Sequence, residues 1–380
     1  MGSVFEVSSD APVAISGIDI TPIFVESDLP FAVRFFGWTI KDERRAVRRS
    51  KLVTWFDRLT GFVEQTPRQV RDNLRVDVRT LKSLVNEKVW ICGELETPSL
   101  AELRERVRAS GSTAGKLSVR EVIADVQHLH VDESNTGALF QVASQFNLLE
   151  MVSENITPEQ GVGIYEHDRT QGPACAIAAG AGTIYRNYFV FVDGQIGQSE
   201  SNQIDCLADV GSALENSAGR LWKMQNGYAL ASQDGLIEIS KRLRTSSESE
   251  IDRLREKLRI GIQWDTQVTL NQCKHLVTQT YCSALPVAYS DHPRSLWAEF
   301  ARLVLEAAYE ATICTAILNA KRNGNKRVFL TLLGGGAFGN ETYWIIGAIH
   351  RTLNLYENAD LDVAIVSYGS SKSYVQDLVR

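Results

Sequence analysis

The sequence predicts an α/β fold, a mixed sheet between helices, and three observations predict it. From Leu296 to Ser367 the order is long helix, apolar strand, glycine loop, helix, apolar strand. That order is a βαβ crossover, so its two strands should run parallel with a right-handed connection. The two strands, Val328–Leu333 and Val363–Ser367, are almost wholly apolar, as strands covered on both faces are. Elsewhere, short apolar runs alternate with stretches of helical spacing, and no repeat or low-complexity segment interrupts them.

The elements follow in order. Residues 1–25 read as a strand-rich start, and residues 40–110 as helix-rich, with Arg, Leu and Val at helical intervals. VWICGELE within that region reads as a short strand. Ser110–Lys116 (SGSTAGK) reads as a linker, which divides the chain into an N-terminal strand/helix accessory region, 1–115, and a ligand-binding domain, 116–380. Val119–Leu129 suits a helix or a strand-turn, and Ala138–Ser144 a strand. Pro173–Gly180 is a tightly packed helix with proline in its first turn, and Gly180 reads as its left-handed cap. Tyr188–Val192 runs into Asp193-Gly194, a hairpin signal. Helices are expected near 203–216, 233–243 and 247–257, and strands near 259–269 and 275–289. A long helix over 296–322 ends at Asn323-Gly324, and another covers 342–355.

Composition excludes several functions. The 380 residues carry 40 basic and 46 acidic side chains, for a net charge of −6. This balance argues against general nucleic-acid binding. The cluster Lys41–Lys51, six basic side chains against two acidic, reads as a solvated helix face. The six cysteines, Cys92, Cys175, Cys206, Cys273, Cys282 and Cys314, form no C-x-x-C pair. Buried thiols in a reducing compartment are expected. There is no signal-peptide pattern and no run of ~18 apolar residues, so the expected location is cytoplasmic, with the nucleus as alternative, and no membrane partner is expected. His128-x-His130 lacks a third ligand, and no metal is expected. A nucleophile elbow is absent, and Ser283 reads as structural.

Two stretches carry chemistry. In VFLTLLGGGAFGNETYW, a buried strand runs into Gly334-Gly335-Gly336-Ala337-Phe338-Gly339, and a helix starts near Glu341. Glycines let backbone N–H groups turn toward an anion, and the helix N-terminus adds its dipole. The string also fits G-x-G-x-x-G, but the next strand ends Val366-Ser367-Tyr368, without the acid a dinucleotide site needs. The second stretch runs from Phe140 to Tyr188. A strand ends at Ser144, and Gln145, Asn147 and Glu150 follow at once, then Glu166, Asp168 and Gln171 after a glycine-bearing loop. Carboxylates can protonate a leaving group or activate water, and amides can fix sugar hydroxyls. Arg186 reads equally as a phosphate ligand or a structural ion pair.

Together these two stretches resemble the macrodomain superfamily, and its poly(ADP-ribose) glycohydrolase-like branch in particular. LLGGGAFGN looks like that family's phosphate loop, and ALFQVASQFN like the strand leading to an Asn on the distal ribose. The resemblance implies that Gly334, Gly335, Gly336, Gly339 and Asn340 form the diphosphate loop, that Phe338 packs on the ribose, and that Asn147 and Gln171 border the ligand. The branch's signature of three glycines and Gln-Glu-Glu is absent. Glu150, Glu154, Glu159, Glu166 and Asp168 are the acids in that region, with Glu150, Glu166 and Asp168 as the catalytic candidates. The implied function is binding of ADP-ribose or a related nucleotide diphosphate, free or on an ADP-ribosylated partner, with hydrolysis of an ADP-ribosyl bond as the chemistry and no cofactor. A non-catalytic binding module and a Rossmann-like nucleotide-dependent enzyme stay open as alternatives.

Overall fold

The computed structural model describes residues 53–111 and 115–379, which belong to one compact unit beginning at Val53. The strand-rich start at 1–25 and the basic cluster at 41–51 lie outside these residues. The description opens with two short helices, α1 (Trp55–Thr60) and α2 (Pro67–Asn73), capped by the side chains of Thr54 and Thr66. An antiparallel sheet follows: β1 (Leu74–Asp77), β2 (Thr80–Ser83) and β3 (Val89–Ile91). The stretch expected to be helix-rich therefore carries strands between its helices. Its apolar spacing works with period two, since Leu74, Leu81 and Ser83 point inward while Arg75 and Lys82 between them face water. VWICGELE is two strands rather than one. Gly93 separates β3 from β4 (Glu94–Glu96), and a Cβ there would stand 2.1 Å from the Trp264 carbonyl oxygen.

The remaining elements are α3 (Leu100–Ala109), β5 (Ser118–Ile123), α4 (Val126–Val131), β6 (Leu139–Ala143), α5 (Gln171–Ala178), α6 (Gly180–Tyr188), the hairpin β7 (Phe191–Val192) and β8 (Gln195–Ile196), α7 (Ala208–Ala213), the hairpin β9 (Trp222–Gln225) and β10 (Tyr228–Ala231), α8 (Gln233–Thr245), α9 (Glu248–Arg255), β11 (Gly261–Gln267), β12 (Leu276–Cys282), α10 (Arg294–Asn323), β13 (Arg327–Leu330), α11 (Thr342–Leu355), β14 (Asp362–Ser367) and α12 (Ser373–Val379). Gly180 opens a second helix instead of closing the first. It does so because Gly180 and Gly182 let α6 lie against Trp55 and Thr266, where an added Cβ would come within 2.6 and 2.7 Å of those side chains.

The main sheet has the order β4-β11-β12-β6-β13-β14-β5. The five strands from β12 to β5 are parallel, and β11 runs antiparallel to both of its neighbours. β4 lies on the N-terminal side of residue 115 yet is hydrogen-bonded into this sheet. Successive side chains point to opposite faces, and each face has its own helices. Gln141 and Thr278 reach Thr312 and Asn319 of α10. Phe140 and Gln279 turn the other way, toward His130 of α4. α10 is long and apolar enough to cross a membrane, but 83% of its most apolar window is buried in this core. Gly324, at φ 81°, ends it where Asn-Gly was expected to.

Phe140 sits between the His130 ring, 3.8 Å away, and the Phe329 ring, 4.6 Å away. We expect Phe140→Ala to remove about 3–5 kcal/mol of stability, read as a lower midpoint in urea unfolding. A change within experimental scatter would mean the centre of the sheet can collapse onto the space.

Candidate functional site

β6, β12 and β13 run parallel and end on one edge of the sheet, where ligands of α/β proteins gather. A cleft with about 820 Å³ of empty space, mouth included, opens there. Ser144, Gln145, Glu150, Tyr228 and Tyr289 line it, together with the 331–338 segment except Gly335.

The glycine loop is folded by its own hydrogen bonds. Gly334 and Gly339 have φ of 75° and 68°, the region glycine enters without penalty. A Cβ on either would lie 2.4 Å or 2.8 Å from the side chains of Ala284 and Ala288. Asn340 staples the turn: its N–H donates to the Gly334 carbonyl at 2.9 Å, and its Nδ2 to the Leu285 carbonyl at 2.8 Å. Gly335 N–H donates to the Leu332 carbonyl at 3.1 Å, and Leu333 N–H to Thr331 O and Tyr309 Oη. The N–H groups of Gly334, Gly336, Ala337 and Phe338 have no acceptor among the described residues. The loop then enters α11, whose positive end lies behind it. Of the loop residues named from sequence, Gly334, Gly336 and Phe338 line the cleft. Gly335, Gly339 and Asn340 do not; they shape the loop from behind.

Phe338 packs with Tyr228 and Tyr289, ring centroids 5.3 and 5.6 Å away, and the two tyrosines stand 5.1 Å apart. Sequence reasoning missed both tyrosines. Tyr228 follows the turn Asn226-Gly227, both residues with positive φ, and Asn-Gly between alternating apolar residues was the available hairpin signal. Its hydroxyl donates to the Met151 carbonyl at 2.7 Å.

The amides and acids at the end of β6 divide. Gln171 continues the strand: its Oε1 accepts from Ala143 N–H and its Nε2 donates to Gln141 O, both at 2.8 Å. It lines the cleft with its amide already used. Asn147 is fully buried and does not line the cleft. Its Nδ2 donates to Gln203 at 2.8 Å and its Oδ1 accepts from Leu149 N–H, so Asn147 holds the loop and, through Gln203, the Asn226 turn. Gln145 is the polar side chain that faces the cleft instead. Glu166 lies outside the cleft. It accepts from Trp55 N–H at 2.7 Å and pairs with Arg58 at 2.5 Å, fastening α1. Asp168 lines the rim and accepts from Thr170 N–H at 2.8 Å.

Glu150 is 2% exposed, and neither carboxyl oxygen has a hydrogen-bond partner. Burial pushes its pKa up to about 8, against the opposing pull of Arg186. Arg186 is wholly buried, so it meets no phosphate in the cleft; its Nη2 lies 3.8 Å from Glu150 Oε2. The cleft lining contains no Lys, Arg or His. His128 and His130 lie on helix α4 rather than on a strand, and among the described residues no three His, Cys, Asp or Glu side chains are grouped as a metal site.

No family model matches the chain, and no curated protein matches it. Solved structures it is similar to include bacterial poly(ADP-ribose) glycohydrolases. The enzyme from Thermomonospora curvata is 10% identical with a TM-score of 0.41, over 89% of this chain and 98% of that chain. The enzyme from Deinococcus radiodurans in complex with ADP-ribose is also 10% identical with a TM-score of 0.41, over 76% and 92%. In this chain the end of β6 and the start of α5 meet closely beside the cleft.

Gly172 tests how tightly that geometry is set. A Cβ there would stand 1.9 Å from the Ala143 carbonyl oxygen and 3.0 Å from Glu150 Cγ. Gly172→Ala should therefore push α5 off the end of β6, lowering the thermal midpoint by several degrees. An unchanged midpoint would show that the helix slides freely there.

Proposed function

We propose that the cleft binds ADP-ribose or a related nucleotide diphosphate, with the diphosphate on the Gly334–Phe338 loop. The observation that carries this reading is the set of four loop N–H groups without acceptors, gathered before the N-terminus of α11. Backbone donors aimed into a concavity bind anions without a basic side chain. Phe338 and Tyr289, backed by the buried Tyr228, offer flat apolar surface for a sugar or base ring. The alternative of a Rossmann-like nucleotide-dependent enzyme lacks the acid its ribose contact needs. β14 ends at Ser367, and Asp362 at its other end is engaged with Arg120.

The chemistry such a cleft would support is hydrolysis of an ADP-ribosyl bond with Glu150 as general acid. A carboxyl that keeps its proton to about pH 8 can give it to a leaving group at neutral pH. A second reading, binding without turnover, is favoured by one observation: both oxygens of Glu150 are shut off from solvent.

Calorimetric titration with ADP-ribose tests the binding. A side chain at Gly336 would meet nothing within 4 Å, so Gly336→Glu should fold normally while placing a carboxylate in the anion cradle. Saturable binding that this substitution abolishes is the expected result; no binding by the unaltered protein would end the proposal. Release of ADP-ribose from a modified peptide separates the two readings. If Glu150 is the acid, release should persist below about pH 8 and fall above it, and Glu150→Gln should slow it at least 10²-fold. Binding without release would establish the non-catalytic module.

A further inference from the structure

We propose that Arg186 is a positioning residue for the Glu150 carboxyl group, held off it by a one-way chain of hydrogen bonds through Tyr281, Gln279 and His130. The term positioning rests on the reading of Glu150 as the working acid. The chain itself is a matter of geometry.

Its direction follows from two carbonyl groups that can only accept. His130 Nδ1 lies 2.8 Å from the Val126 carbonyl oxygen, so Nδ1 carries the ring proton. In the neutral ring Nε2 then accepts, and its partner at 3.0 Å is Gln279 Nε2. The same amide nitrogen lies 3.0 Å from the Cys175 carbonyl oxygen, which fixes the amide's orientation independently. Gln279 Oε1 must accept, and it does so from the Tyr281 hydroxyl. With its proton committed, that hydroxyl accepts from Arg186 Nη1. Arg186 Nε donates to the Leu148 carbonyl at 3.1 Å and Nη2 to Thr183 Oγ1 at 3.2 Å, while Cζ lies 3.7 Å above the Tyr281 ring centroid. Each bond runs from Arg186 toward His130.

The guanidinium is thus committed on three sides and to the ring beneath it. It stays 3.8 Å from Glu150 Oε2, beyond hydrogen-bond length. The groups facing Glu150 are Arg186 from α6, Tyr281 from β12, Cys175 from α5 and Tyr165, whose hydroxyl lies 3.1 Å from the Glu150 N–H. Arg186 alone among them carries a fixed charge. At this distance it favours the carboxylate without closing on it as an ion pair, so the carboxyl remains able to change protonation state.

Two substitutions should move Glu150 in opposite directions. Removing the charge with Arg186→Gln should raise its titration midpoint by about one pH unit or more. Tyr281→Phe frees the guanidinium to close on the carboxylate and should lower it. The midpoint is read by carbon NMR of protein labelled at the glutamate carboxyl groups, with Glu150→Gln identifying the resonance. Opposite shifts support the proposal. No shift in Arg186→Gln, or an unchanged or raised midpoint in Tyr281→Phe, overturns it. Should Arg186→Gln fail to fold, Tyr281→Phe decides alone, since it removes one oxygen from a ring that still packs. The titration uses no ligand, so a protein that failed to bind ADP-ribose would still give the answer.

Discussion

A guanidinium with no access to water must find its acceptors in the surrounding chain, and much of the site follows from how Arg186 finds them. An unpaired charge in that position would cost several kcal/mol. Its acceptors come from three places: the carbonyl of Leu148 in the loop after β6, Thr183 one turn back on α6, and Tyr281 on β12. Loop, helix and sheet are thereby tied at one point. Leu148 takes an unusual φ of 66° and packs so closely on Gly261 that a Cβ there would stand 2.5 Å from it. Two residues later the chain delivers Glu150 to the cleft lining.

The state of Glu150 is a second consequence. Burial and Arg186 act on it in opposite senses, and burial prevails. The folded chain holds this proton up to about pH 8, whereas the unfolded chain gives it up near the ordinary carboxylate value. Between those two values the native state binds more protons than the unfolded one, so this group lowers stability as pH rises. The cleft gains compatibility with an anion in exchange. With no basic side chain in its lining, an ionised Glu150 would oppose a diphosphate, and a neutral one does not. On the proposed reading, attraction would fall to N–H groups and the end of α11, which are fixed before a ligand arrives and lose no side-chain freedom on binding.

The fold's second half was legible because its signals are local. The apolar strands flanking the glycine loop, the Asn-Gly stop of α10 and the strand at 139–143 depend on residues within a few positions of each other. The first sheet was not legible, because short strands with Arg and Lys on the wet face imitate a helix's spacing. Glu166 was read as a catalytic candidate for a similar reason. The partner that occupies it, Arg58, lies 108 positions earlier in the chain, and no local pattern announces that pairing. Tyr228 and Tyr289 reach the cleft from separate segments, so their aromatic surface exists only once β10 and the segment after β12 are side by side.

The amides Asn147, Gln171 and Asn340 make the subtler case. Asn340 reads as a ligand contact because the resemblance places it in the diphosphate loop, and Asn147 and Gln171 because an amide offers a donor and an acceptor together. That property also makes an amide a copy of the peptide group. Where a strand ends or a loop turns sharply, backbone groups are left without partners, and burial makes each such group costly. Gln171 supplies both missing bonds at the end of β6, Asn340 satisfies Leu285 across the glycine loop, and Asn147 receives Leu149 while holding the neighbouring turn. A ligand cleft is a place where several strands end at once, so it needs such surrogates most. An amide beside a cleft therefore carries two meanings in sequence. What separates them is whether the nearby backbone is already paired, and in the glycine loop the N–H groups of Gly334, Gly336, Ala337 and Phe338 are not.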